Sequence, residues 1–436
     1  MKLTLPLAGM LLVVFVAAGQ SLHDGSELRI GGNGRMAVFV ALQAVAGAVY
    51  LFAVARMLRA PETIPLWLML GMAAAMRLIP LASPMFLSSD MFRYIWDGRV
   101  QLAGINPYRD LPADPALAFL RDAAIYPHIN RAATAHTIYP PMAQIVFAAV
   151  AWVNQTPVAM RLAMVGFEAL AAGCLLDVLR RAGLPAARLL IYAWCPLPVW
   201  EFAGNGHLDA MVVGFSALAL ATSARGRRGL TGAVLAAATL VKFLPAALAP
   251  AFWRRWDWRL PLAGVVVVVA LYACYLGAGV HVLGFLPGYA GEEGVSDGSG
   301  FWLVAGLGEL VTLPLGSGPV FLAAVAGVLA MAMVVLSRTD STPPRVAAQA
   351  GALATFLMVT LSPHYPWYYA WVSVFAVISP QRCTIYLGVA ALLLYLDPLH
   401  ERFVWPALVF VPTIILSLLD WNRPLLPIGE RRWISP

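Results

Sequence analysis

Residues 3–20 read LTLPLAGMLLVVFVAAGQ, a run without a single charged side chain. An α-helix rises about 1.5 Å per residue, so a run of this length approaches the ~30 Å hydrocarbon core of a bilayer. Inside lipid every backbone N–H and C=O must be satisfied within the chain, which makes a helix the natural state of such a segment. Comparable runs of roughly 16 to 22 residues begin near positions 36, 64, 158, 188, 208, 228, 259, 318, 344, 367, 383 and 404. The reading is an all-α, polytopic transmembrane helical bundle of about 11 to 13 spans. The lone Lys2 ahead of the first run and its A-A-G-Q end also fit a cleaved signal peptide; an uncleaved anchor is the favoured reading.

Composition points the same way. Hydrophobic residues are 61% of the 436 and charged residues 12%, with mean hydropathy +0.77, whereas soluble domains carry about 25% charged residues. No stretch has the length and polarity of a separate soluble domain, so residues 1–436 read as one membrane-embedded domain with one long loop. The net charge of +7 and the pI near 9.4 do not indicate nucleic acid, because the basic residues sit between apolar runs, where they report orientation. Cys174, Cys195, Cys274 and Cys383 show no C-x-x-C spacing. They suggest neither a disulfide framework nor a metal site.

Arginine bias sets the orientation. Arg56, Arg59, Arg180, Arg181, Arg225, Arg227, Arg228, Arg254, Arg255, Arg338, Arg345, Arg382, Arg431 and Arg432 mark one side as cytoplasmic. All seven histidines, His23, His128, His136, His207, His281, His364 and His400, then fall on or near the outer side. Parity fails once. If the first three runs cross, the loop at about 84–138 is outside, yet the helix starting near 158 must also begin outside. The intervening IYPPMAQIVFAAVAWVNQTP opens on paired prolines. It reads as a juxtamembrane or re-entrant helix at about 139–156, with a full span as the alternative. LVKFLPAALAPAFWRRW is likewise broken by Pro245 and Pro250.

The outer loop at about 84–138 collects Asp90, Asp97, Asp110, Asp114, Asp122, Arg93, Arg99, His128 and His136. In SSDMFRYIWDGRV, residues 88–100, Asp90 and Asp97 are spaced two helical turns apart on one face, with Arg93 and Tyr94 on the same side. Taken alone, that stripe fits a solvated amphipathic helix with an Asp90–Arg93 pair of little energetic weight. Other outer clusters add to it. GNGHLDA at 204–210 carries His207 and Asp209, and SPHYPWYYAW at 362–371 combines His364 with Tyr365, Trp367 and Tyr368. Lys242 lies inside an apolar run in a chain whose only other lysine is Lys2. An ionisable group there normally faces a cavity or a partner; snorkelling to the interface is the bland alternative.

The ordered motifs S-D-M-F-R-Y-I-W-D-G-R-V (89–100), G-I-N-P-Y (104–108), H-T-I-Y-P-P-M-A-Q (136–144), N-G-H-L-D-A (205–210), K-F-L-P (242–245) and P-H-Y-P-W-Y (363–368) resemble the polytopic GT-C superfamily of glycosyltransferases. The nearest resemblance is to bacterial mannosyltransferase-like members that use polyprenyl-phosphate sugars. The resemblance implies a GT-C-like bundle in the bacterial cytoplasmic (inner) membrane, with its active site facing the periplasm or exterior. It implies a hexose, mannose-like, passing from a polyprenyl-phosphate donor to a lipid- or glycan-linked acceptor, with an aspartate of the first large outer loop as base. Asp90 matches that aspartate and Asp97 the second acid. The sequence departs from the pattern in having two runs ahead of the helix that leads into the loop.

A lipid phosphate is already a good leaving group, so the chemistry needs one carboxylate to take the acceptor proton and cations to hold the departing phosphate. Arg93, Lys242 and His364 are the candidate phosphate ligands; His136, Tyr139, His207, Asp209, Tyr365 and Trp367 are candidate substrate contacts. No metal or other cofactor is expected, since cationic side chains can neutralise a monophosphate and no D-x-D occurs in the loop. A transporter or flippase for lipid-linked sugars is the alternative function, and a non-enzymatic membrane scaffold a third.

Overall fold

Prolines decide which apolar runs remain whole. In the computed structural model, which describes residues 4–22, 34–60, 64–314, 316–396 and 403–421, Pro141, Pro157 and Pro343 each open a helix at a first-turn position, where the missing N–H costs nothing. Lys2, His23, His400, Arg431 and Arg432 lie outside the described residues. Among the described residues all regular structure is helical, as the apolar runs require, and the chain is an all-α polytopic protein. Gly34–Arg59, Pro157–Arg181, Ser317–Leu336 and Pro343–Leu361 are long and apolar enough to cross a bilayer unaided. Arg259–Ala273 and Leu276–Glu292 form a further pair bent by 111°. The remaining runs make shorter apolar helices, among them Leu5–Gln20, Leu66–Leu81, Asp209–Ala224 and Val404–Asp420.

The run near 188 is no simple span. It folds into a 3-10 turn Ala186–Leu189, a helical turn Leu190–Ala193, the turn Pro196–Pro198 and a π-helical turn Val199–Gly204. Pro196 and Pro198 cannot donate to the ladder, which breaks it in the protein core, where neighbouring helices shield the interrupted backbone. The KFLP run breaks as its prolines predict. Arg228–Thr239 ends, the chain turns through Lys242, and Leu244–Leu248 and Ala249–Phe252 continue as short helices.

Asp209–Ala224 is buried on nearly every face, packed against Pro157–Arg181, Arg228–Thr239 and Pro343–Leu361. Ser317–Leu336 lies at the rim, with 6% of its most apolar window buried, and turns its apolar side chains outward as a lipid-facing helix must. The arginine-rich ends gather on one side: Asp177 holds Arg180, Arg181 and Arg225, and Asp340 pairs with Arg345 while its carbonyl accepts from Arg254. The opposite ends of three helices, at residues 209, 239 and 361, adjoin the segments at 208–209, 241–244 and 365–368 that line the cavity described next.

Candidate active site

Carbonyls at the end of Leu66–Leu81 have no partner inside their own helix. Arg161 braces this end: Nη1 donates to Pro80 O, which also accepts from Ser83 N, and to Ser83 O just past the helix, each at 2.9 Å. Asn205 continues the brace, its Oδ1 accepting from Leu87 N at 3.1 Å. The next residue, Gly206, sits at φ +72°, and a Cβ there would lie 2.7 Å from Met91 Sδ. The NGHLDA turn is thus pressed against the first turn of Asp90–Leu102, which fixes where that helix starts.

Asp90–Leu102 packs in turn on Pro141–Val153. Tyr94 stacks on Phe147 at 4.7 Å and 3°, and a Cβ at Gly98 would stand 2.4 Å from Phe147 O. Pro141–Val153 is 13 residues long, about 20 Å at 1.5 Å per residue, short of the ~30 Å core. Its leading N–H groups do not go unpaired: Met142 N and Ala143 N donate to Leu240 O at 3.0 and 3.3 Å. Leu240 ends the helix interrupted beside Lys242, so the two breaks satisfy each other, and Lys242 comes to the same cavity as residues of the 84–138 loop.

Arg93 pairs with Asp97 (Nε–Oδ1 2.8 Å), one turn on, and not with Asp90 as the spacing suggested. Asp97 also accepts from Thr137 Oγ1 and from Gln144 Nε2 at 3.0 Å. With Arg93 Nη1 donating to Ala135 O at 3.0 Å, this buried set ties the end of the loop to the helix. Asp209 and His207, two residues apart in the sequence, face different partners. Lys242 Nζ lies 2.9 and 3.1 Å from the two Asp209 oxygens and 3.3 Å from the Tyr368 ring centroid. His207 Nδ1 lies 2.9 Å from Glu201 Oε2, off the line of a directed hydrogen bond.

These groups surround a cavity of about 630 Å³, within the range of small-ligand sites. Of the sequence candidates, Asp90, Arg93, His136, Tyr139, Asp209, Lys242, Tyr365 and Trp367 line it. Asp97 and His207 stand behind its wall, and His364 is set back beside a small side pocket, Nδ1 3.4 Å from Glu293 Oε2. Asn130, Arg131, Tyr289 and Glu293 add polar groups to the lining without any local motif to announce them. Arg131 pairs with Glu292 at 2.8 Å, and the hydroxyls of Tyr289 and Tyr368 meet at 2.7 Å, drawing Leu286–Glu292 over the cavity. Burial, then the adjacent His281 ring and Arg93, hold the His136 imidazole below its ordinary value.

Of the three carboxylates that line the cavity, Asp209 faces Lys242 and Glu293 stands 3.4 Å from the His364 imidazole; among the described residues Asp90 has neither a lysine or arginine nor a ring nitrogen at ion-pair distance, Asn130 Nδ2 donates to its Oδ1 at 3.0 Å, and no hydrogen bond occupies Oδ2. No group of three or more His, Cys, Asp or Glu side chains poised to hold a metal ion occurs among the described residues. A family model described as alpha-(1->6)-mannopyranosyltransferase, N-terminal domain, matches residues 3–257. No curated protein and no solved structure matches the chain.

Proposed function

The chain belongs to the alpha-(1->6)-mannopyranosyltransferase family, a membrane glycosyltransferase whose family fits the GT-C class, and on that premise we propose that it transfers mannose from a polyprenyl-phosphate donor. The acceptor is a hydroxyl, the 6-OH by the family's linkage, of a lipid- or glycan-linked saccharide. The observation that carries the reading is Asp90, a cavity-lining carboxylate without a cation beside cations that are already organised. A general base must be ionised and within reach of the acceptor proton, and Asp90 Oδ2 is uncommitted.

In the proposed step the acceptor oxygen attacks the anomeric carbon as its proton passes to Asp90, and the bond from that carbon to the phosphate oxygen breaks. The electron pair leaves with the phosphate. A single displacement inverts the anomeric carbon, so an α-linked product requires a β-linked donor. Lys242 and Arg93 stand where developing phosphate charge can be met by charge-assisted hydrogen bonds, and both are held in place by their carboxylates. His136, Tyr139, Asp209, Tyr365 and Trp367 are assigned to substrate contacts from the cavity wall. We read the cavity as facing the outer side of a bacterial cytoplasmic membrane; its position at the helix ends opposite the arginine-rich ends supports this by the positive-inside rule.

The test uses purified protein in liposomes with polyprenyl-phosphate mannose, a nucleotide-linked mannose and a mannoside acceptor. Transfer from the lipid donor alone, with polyprenyl phosphate released in equal amount, is the expected result. Movement of the donor between leaflets without its consumption would make the protein a flippase instead.

A further inference from the structure

A stack of three aromatic rings runs from the cavity wall into the core. Tyr365 lies parallel to Trp367, 4.5 Å between centroids and 7° between planes, and His207 lies on Trp367 at 4.2 Å and 21°. Two near-parallel rings this close to one indole centroid cannot share a face, because their own atoms would overlap. They cover opposite faces. Trp367, nearly buried, therefore shows the cavity little more than an edge, and the open ring face of the stack belongs to the partly exposed Tyr365.

At its inner end the stack rests on a carboxylate. Glu201 is 0% exposed and His207 1%, yet neither belongs to the cavity wall. Glu201 Oε2 lies 2.9 Å from His207 Nδ1, the Tyr395 hydroxyl donates to both Glu201 oxygens at 2.9 and 3.1 Å, and His207 N donates to Glu201 O at 2.9 Å. Among the described residues no lysine or arginine pairs with this carboxylate. A buried acid so held is a costly way to fill space, since apolar side chains of the same volume pack as well or better. At 2.9 Å from Nδ1, and tied to the His207 backbone through Glu201 O, it does limit where the imidazole can sit. Glu201 projects from the π-helical turn Val199–Gly204, a local form that recurs at functional sites.

We propose that Glu201 is a positioning residue for sugar recognition. Acting through His207 and Trp367, it sets the height and tilt of Tyr365, whose outer face receives the C–H face of the mannose ring. Aromatic faces carry negative charge density and attract the polarised C–H groups on one face of a pyranose, with an energy that depends on stacking geometry. Tilting Tyr365 therefore weakens the sugar contact while leaving the phosphate and lipid contacts around Lys242 in place. The inference rests on the mannosyl-transfer reading above.

The experiment measures donor KM, kcat and competitive inhibition by sugar-free polyprenyl phosphate for wild type, Glu201→Gln, His207→Phe, Tyr365→Leu and Tyr365→Leu with Glu201→Gln. Glu201→Gln is expected to raise donor KM about three- to tenfold, the loss of one aromatic stacking contact, with kcat held within about twofold, as uniform binding loss requires. Inhibition by sugar-free polyprenyl phosphate should not change. His207→Phe, which keeps a stacked ring and removes the contact to Glu201, should reproduce the KM rise even if the Gln variant misfolds. In the Tyr365→Leu background Glu201→Gln should add nothing. Equal weakening of the donor and of the sugar-free lipid, or a full additional KM rise in that background, would overturn the proposal and leave Glu201 a structural residue. A wild-type protein that does not consume polyprenyl-phosphate mannose would instead overturn the underlying reading, and the inference with it.

Discussion

Asp97→Asn keeps the shape of a side chain directly behind the cavity wall and removes the charge that Arg93 faces. The Asp97 side chain is 2% exposed and that of Arg93 6%, so neither can turn to water. Deleting one member of a buried pair costs about 3–5 kcal/mol, because the other keeps its desolvation penalty. The lower end applies, since Ala135 O still accepts from Arg93 Nη1. The new amide adds a conflict: one of its positions must face the Gln144 Nε2 donor or the Arg93 Nε donor, both of which now address oxygens. A loss of about 3 kcal/mol is expected. Denaturant unfolding in mixed micelles, followed by tryptophan fluorescence, measures it for Asp97→Asn, Arg93→Gln and the double variant. The double variant should be less destabilised than the sum of the singles by about 1–3 kcal/mol. Strict additivity, or a wild-type midpoint for Asp97→Asn, would refute the pair as the wall's brace. Asp97→Asn that is fully stable and wholly inactive would make Asp97 the base.

Gly98→Ala should destabilise by about 1–3 kcal/mol in the same unfolding assay, because its Cβ would meet the carbonyl of Phe147 at 2.4 Å, an atom of helix backbone with little freedom to retreat. Lys242→Met should raise the donor KM about 10- to 100-fold, the worth of a hydrogen bond to a charged group, read in a transfer assay with varied polyprenyl-phosphate mannose. His136 is held below its ordinary value in the fold, so the native state binds fewer protons than the unfolded chain in the window beneath about pH 6.5. Its contribution to stability is complete above that pH and is lost as the pH falls from there toward the depressed value. Unfolding midpoints measured from about pH 8 to pH 5 should show this decline, and His136→Gln should reduce it.

Periodicity and proline placement made most of the fold legible. The starts expected near 158, 228, 259 and 344 fall within two residues of the observed helices at Pro157, Arg228, Arg259 and Pro343. The run near 188 was read as one span because its apolar content is continuous; Pro196 and Pro198 within it break the ladder, and burial shields the broken backbone. In the site, the rarity of lysine singled out Lys242, and the charged stripe singled out Asp90–Leu102. Partner choice was not legible. Lys242 pairs with Asp209 across 33 positions and Tyr395 reaches Glu201 across 194, and no local pattern encodes contacts made only when separate helices pack. Asp90–Arg93 failed as a pair because Asp97, one turn on, offers Arg93 a buried carboxylate with Thr137 and Gln144 already bound to it. Asn130 and Arg131 sit in an irregular stretch where nothing in the sequence distinguishes them from loop residues.

The central claim is that Asp90 takes the acceptor proton. Asp90→Asn retains the volume and the contact to Asn130 while removing the basic oxygen. Single-turnover transfer from saturating polyprenyl-phosphate mannose should fall by about 10²- to 10⁴-fold, the usual contribution of a general base, with donor affinity within about threefold of wild type because the phosphate ligands are untouched. A single-turnover rate within a few-fold of wild type at saturating donor would contradict the account and move the base to another group on the cavity wall.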